Sequence, residues 1–184
     1  MKLSIAIICL AMLLAASNAD ALQSPGTEKK APAFRFADIQ YFHRFTGNDQ
    51  YEYTPAGQTD LNAWADMMTV NWYCKAKDGD ALAAVANSVL ENYKAHQGTV
   101  VRTSSVPRTK DKPAEHFIVV AFRRPTFTEV AFARFKLHQG VGASAVYSHR
   151  TYGPKAWEEM NAWLSKNGPG IEQQLMAWAA LPTP

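Results

Sequence analysis

The chain has 184 residues, 47% of them hydrophobic and 11% aromatic. That is enough apolar material for a real core, but too few residues for two ordinary domains once a leader is set aside. Charged residues make up 19% and nearly cancel, leaving +3, which excludes a disordered polyelectrolyte and falls short of the basic stripe of a dedicated nucleic-acid binder.

The N-terminus has the three-part layout of a secretory leader. Met1-Lys2 supplies positive charge, residues 3–16 are mostly apolar, and residues 17–21 (SNADA) are small and polar. A run of about 14 residues rises only about 21 Å as a helix, short of a bilayer core of about 30 Å. Residues 1–21 are therefore expected to be cleaved, after Ala19 or Ala21, giving a periplasmic or secreted protein. No later stretch is apolar for long enough to make a membrane-spanning helix. Cleavage removes Cys9 and leaves Cys74 alone, so no internal disulfide can form; a lone thiol in an oxidising compartment is expected to be buried or half-buried.

Residues 22–33 (LQSPGTEKKAPA) read as a flexible lead-in, and residues 34–181 as one domain. Aromatic-rich runs at 39–45 and 50–54 flank the turn residues 46–49, which is the chemistry of a hairpin. After a Pro/Gly break at 55–60, Thr59 or Asp60 could cap a single helical turn reaching Trp64, and residues 67–74 (MMTVNWYC) read as a strand. Leu82, Val85, Ala86, Val89, Leu90 and Tyr93 recur at three- and four-residue steps, predicting a helix over 80–96 that Gly98 stops. A strand at 99–105 and a solvated loop at 107–113 follow.

Strands are next expected at 115–122, 127–138 and 143–152, joined by turns at 123–126 and 139–142. One register keeps Phe117, Val119, Ala121, Ala131, Ala133, Phe135, Leu137, Ala143, Ala145 and Tyr147 on a common face. It sends His116, Arg134, Lys136 and Arg150 to the other. Two helical pieces close the chain, 154–166 on a Trp157/Met160/Leu164 stripe and 171–179, separated by Asn167-Gly168-Pro169-Gly170. Trp163 lies off that stripe and is expected to be exposed. The sum is an α+β fold, a mainly antiparallel sheet packed by helices.

This element order resembles the PsbP-like α/β/α sandwich, and the Tyr-Thr-Pro-Ala-Gly-Gln-Thr-Asp-Leu-Asn-Ala-Trp-Ala-Asp-Met-Met-Thr-Val segment at 53–70 is similar in style. The chain is also similar to uncharacterised exported proteobacterial proteins. The resemblance implies an accessory or protein-binding factor rather than an enzyme.

The catalytic and cofactor spacings are missing. His43, His96, His116, His138 and His149 form no HxH or HExxH, and Asp78-Gly79-Asp80 lacks the later oxygens of a calcium loop. Gly142-Ala143-Ser144 has Val146 where a nucleophile elbow needs glycine, and no phosphate loop or dinucleotide fingerprint occurs. No metal and no cofactor is expected. The candidate binding residues are His116, Arg134, Lys136 and Arg150, a grouping suited to a carboxylate, a phosphate or an acidic protein surface. The leading expectation is an exported, non-catalytic binding or accessory protein for an envelope or periplasmic protein partner. The alternatives are a hydrolase using Cys74 with a histidine, and a small-anion or lipid-binding protein using the basic sheet face.

Overall fold

A computed structural model describes residues 30–182. The expected leader at 1–21 and most of the lead-in lie outside the described residues. The elements are β1 (Phe34–Phe36), β2 (Ile39–Gly47), β3 (Gln50–Pro55), β4 (Asp66–Tyr73), α1 (Gly79–Ala95), β5 (Thr99–Val106), β6 (Glu115–Arg123), β7 (Phe127–His138), β8 (Val141–Tyr152) and α2 (Ala156–Ala177). The strands form one antiparallel sheet in the order β1-β2-β3-β4-β8-β7-β6-β5. The α+β class and the sheet between helices are as the sequence implies.

Three elements differ from expectation. Phe34–Phe36, to which the sequence assigns no element, is a short edge strand, because Phe34 and Phe36 pack on Tyr41, Tyr53, Tyr147 and Trp178. Residues 59–64 make no helix; Asp60 takes the Asn62 amide on its side chain and the Ala63 amide on its carbonyl, so the segment closes as a turn. Helix α2 is continuous through Asn167–Gly170, with Pro169 inside it. Proline there forfeits one helical hydrogen bond. One buried stripe of Ala156, Met160, Gly168, Ile171 and Leu175 spans both sides of the expected break and holds the helix to the sheet.

The faces of the sheet also depart from expectation. Partners across a ladder share a face, and here Phe117 opposes Arg134, Val119 opposes Phe132, and Arg134 opposes Ala145. Strand β7 is therefore turned over relative to its neighbours. Arg134 shares the face of Phe117 and Tyr147, while Ala131, Ala133 and Phe135 share that of Ile118 and Val120. The turns decide this. Gln139 and Gly140, both at positive φ, separate the paired His138 and Val141, and residues 124–127 separate the paired Arg123 and Thr128, so an even number of residues lies between the last partners of each hairpin. Because β7 is apolar on both faces, alternation could not phase it.

Each face has its own core. Helix α1 sets Leu82, Ala86, Val89 and Tyr93 against Ile118, Val120, Phe122, Ala131, Ala133 and Phe135. Helix α2 sets Met160, Ile171 and Leu175 against Phe117, Val119, Phe132 and Tyr147, in a core that continues to Met68, Tyr41 and Phe36. After α1, Gln97 takes the left-handed position; Gly98 is required for another reason. A Cβ on it would lie 2.7 Å from Val120 and 2.8 Å from both Phe122 and the Tyr93 carbonyl.

Candidate functional site

The four expected binding residues do not share a face. His116 and Arg150 lie on the α1 side and Arg134 and Lys136 on the α2 side, a consequence of the inverted β7. Arg134 is buried and engaged at every arm. Its guanidinium makes a bidentate pair with Glu115 at 2.7 and 2.9 Å and donates to the Leu175 and Trp178 carbonyls at 2.9 and 2.8 Å. It is thus the clamp that satisfies the C-terminal carbonyls of α2. Lys136 reaches the Ala179 carbonyl at 3.4 Å, and burial followed by repulsion from Arg134 lowers its pKa. Arg150 pairs with Glu129 at 2.8 Å, its guanidinium carbon 3.9 Å from the Trp64 ring centre and 4.2 Å from that of Phe127. His116 shares a hydrogen bond with Ser105, while its Nε2 is buried without a partner among the described residues.

The accessible surface feature is elsewhere, at the β5 edge. The two ends of the sheet are β1, three residues long, and β5, eight residues long. No described strand pairs with the outer side of β5, and six of its residues are exposed, among them Val101 and Val106. Such an edge presents a row of free amides and carbonyls. A bulge between Val100 and Arg102 sets Val101 out of the ladder. Beside it runs an open groove of about 540 Å³ on the α2 face. Val101 and Arg102 form one wall, Val119 and Phe132 the floor, and Leu164, Pro169 and Met176 of α2 the other wall. Gly168 leaves the space above Phe132 open. The Arg102–Glu172 pair bridges the walls at 2.9 Å.

A second polar centre was not visible in sequence. Asp66, at the start of β4, opposes His149 of β8. One carboxylate oxygen accepts from the Tyr147 hydroxyl at 2.6 Å and bonds His149 Nδ1 at 2.9 Å. The His149 ring stacks on Trp163 with centroids 4.0 Å apart. Burial alone would raise the Asp66 carboxyl; the bonds from His149 and Tyr147 and the charge on His149 outweigh it and hold the carboxyl below its ordinary range. Trp163 is consequently packed between helix and sheet, also touching Phe132 and Tyr147, rather than exposed as its place off the expected stripe implied. The fully buried Tyr41 hydroxyl has no partner among the described residues. Aspartate and histidine 83 residues apart carry no spacing signal; only the β4–β8 pairing unites them.

Cys74 is exposed, not buried or half-buried as expected, because β4 ends at Tyr73 and the chain turns outward there. It has no hydrogen-bond partner among the described residues, so no thiol–histidine pair is assembled in this structure. No group of three metal-ligating side chains and no helix long and apolar enough to cross a membrane occurs among them.

No family model and no curated protein matches the chain. Solved structures do. The Saccharomyces cerevisiae Ran-binding protein Mog1p is similar over 74% of this chain and 83% of its own, at 9% identity and a TM-score of 0.46. A Pseudomonas aeruginosa protein of unknown function, PA94, is similar over 82% and 88%, at 14% identity and a TM-score of 0.44. Human STARD10 is similar over 74% and 71%, at 8% identity and a TM-score of 0.31. Similarity at that level passes neither partner nor activity to this chain. The expected kinship with uncharacterised exported proteobacterial proteins is corrected by these findings: no family model matches the chain, and the solved structures found do not carry it. The α/β/α architecture stands without that kinship.

Proposed function

We propose that this protein is an exported, non-catalytic binding factor that engages a protein partner of the envelope or periplasm through the β5 edge and the groove beside it. The observation that carries the reading is the eight-residue open edge lying against an apolar groove, with a helix as the far wall. Strand-and-helix grooves of this form accept extended protein segments, main-chain bonds supplying affinity and the groove selecting side chains. The cations expected to hold a small ligand are instead engaged within the fold: Arg134 at the end of α2, Arg150 on Glu129. Export rests on the charged, apolar and small-residue segments of residues 1–21.

The test places a photo-crosslinking amino acid at Val101 in the producing cell, with the same group at the exposed Asn87 of α1 as control. Irradiation should give one discrete protein adduct from position 101 and none from position 87. Folded protein that yields no adduct from position 101 would remove the binding reading. N-terminal sequencing of the mature protein should begin at Asp20 or Leu22, and an intact Met1 would remove the export reading.

A further inference from the structure

The charge around β5 says what kind of segment fits there. Residues 94–124, which run from the end of α1 through β5 and β6, hold seven lysines and arginines against Asp111 and Glu115, more excess positive charge than the whole chain carries. Glu115 is already committed to Arg134, Lys94 pairs with Glu91 and Arg102 with Glu172, which leaves Arg108, Lys110, Lys112, Arg123 and Arg124 without an acidic partner among the described residues. Arg108, Lys110 and Lys112 sit in the exposed loop that leaves one end of β5, and Arg123 closes β6 with Arg124 after it at the other end, so both ends of the edge are basic. We propose that β5 takes an extended, acidic segment of a partner protein as a ninth strand. One apolar side chain of that segment enters the mouth of the groove beside Val101. This rests on the binding function proposed above and names the ligand of the same site.

Two physical arguments select this occupant. Added strands draw on the outer amides and carbonyls of β5, and carboxylates on the incoming strand meet the basic ends of the edge. A second copy of the chain is disfavoured, since edge-to-edge pairing would set Arg108, Lys110 and Lys112 of each copy beside the basic edge of the other. The bulge at Val101 serves the same selection. It leaves a β-branched side chain at the lip of the groove, where the partner's apolar residue enters.

The experiment pans a random twelve-residue peptide library against the full chain and measures the selected peptides as synthetic ligands. They should carry an excess of Asp and Glu over Lys and Arg around a β-branched or large apolar residue. Their affinity should fall at least tenfold with Arg108→Glu, Lys110→Glu and Lys112→Glu combined, all on an exposed loop. It should fall similarly with Gln173→Trp, which fills the groove from an exposed position. N-methylation of alternate peptide amides should abolish binding by removing the strand donors. Failure to select peptides, selection of neutral or basic ones, or binding that survives these changes would overturn the proposal. An adduct at Val101 with such peptide results would sink the ligand chemistry and leave the binding function standing; no adduct would remove both.

Discussion

Helix α1 begins on Asp78, whose carboxylate accepts the Ala81 amide at 2.8 Å, and ends where the Gly98 amide returns to the Tyr93 carbonyl at 2.8 Å. Helix α2 begins at Lys155 without a side-chain cap, carries a proline in its interior, and ends on carbonyls held by Arg134 from the opposite layer. One helix is capped by its own neighbours in sequence. The other is completed by groups from the sheet: Arg134 at its C-terminus, and the His149 ring stacked on Trp163 midway. Local capping makes an element autonomous; distant capping makes its existence conditional on the fold.

Damage to the distant fastenings should therefore cost more than damage to the local ones. Arg134→Met removes the clamp, leaving Glu115 without its cation and taking the guanidinium from the Leu175 and Trp178 carbonyls, of which Leu175 keeps the Trp178 amide. It should destabilise the protein by about 3–5 kcal/mol in urea unfolding, the range for breaking a largely buried ion pair. A loss below 1 kcal/mol would mean that α2 stands without the sheet's help. Asp66→Ala, which strips the acceptor from both Tyr147 and His149, should cost about 2–3 kcal/mol.

The acid limb gives a separate reading of Asp66. Its folded pKa lies below the unfolded value, so its contribution is fully present above about pH 4 and is lost as the pH falls through the folded value. Wild-type stability should decline on that descent, and Asp66→Ala should flatten the decline; identical slopes would contradict the assigned hydrogen bonds. Pro169→Ala restores a helical donor at an exposed position and should stabilise α2 by about 1 kcal/mol. Asp78→Ala, the local cap, should cost about 1 kcal/mol or less. Equal effects of Asp78→Ala and Arg134→Met would erase the contrast between the helices.

The same contrast explains what could be read in advance. The three- and four-residue spacing from Leu82 to Tyr93, with Gly98 after it, places α1 to within a residue at each end. Asn167-Gly168-Pro169-Gly170 read as a break because chain-local preferences there do favour one, and only the stripe Gly168–Ile171–Leu175 packed on the sheet outweighs them. Strand existence was legible throughout β2–β8, whereas β7 misled because both its faces are apolar. The candidate site suffered directly from that. Arg134 and Arg150 seemed neighbours on a basic face until the two-residue Gln139-Gly140 turn put them on opposite sides of the sheet.

Composition and periodicity thus determined the class of fold, the positions of most strands and the whole of α1, since these depend on side-chain spacing and caps within a few residues. The tertiary structure decided the phase of β7, the continuity of α2, the Asp66–His149 pair and the open β5 edge. Each depends on which distant groups meet across the sheet, and turn geometry and cross-layer packing set those meetings.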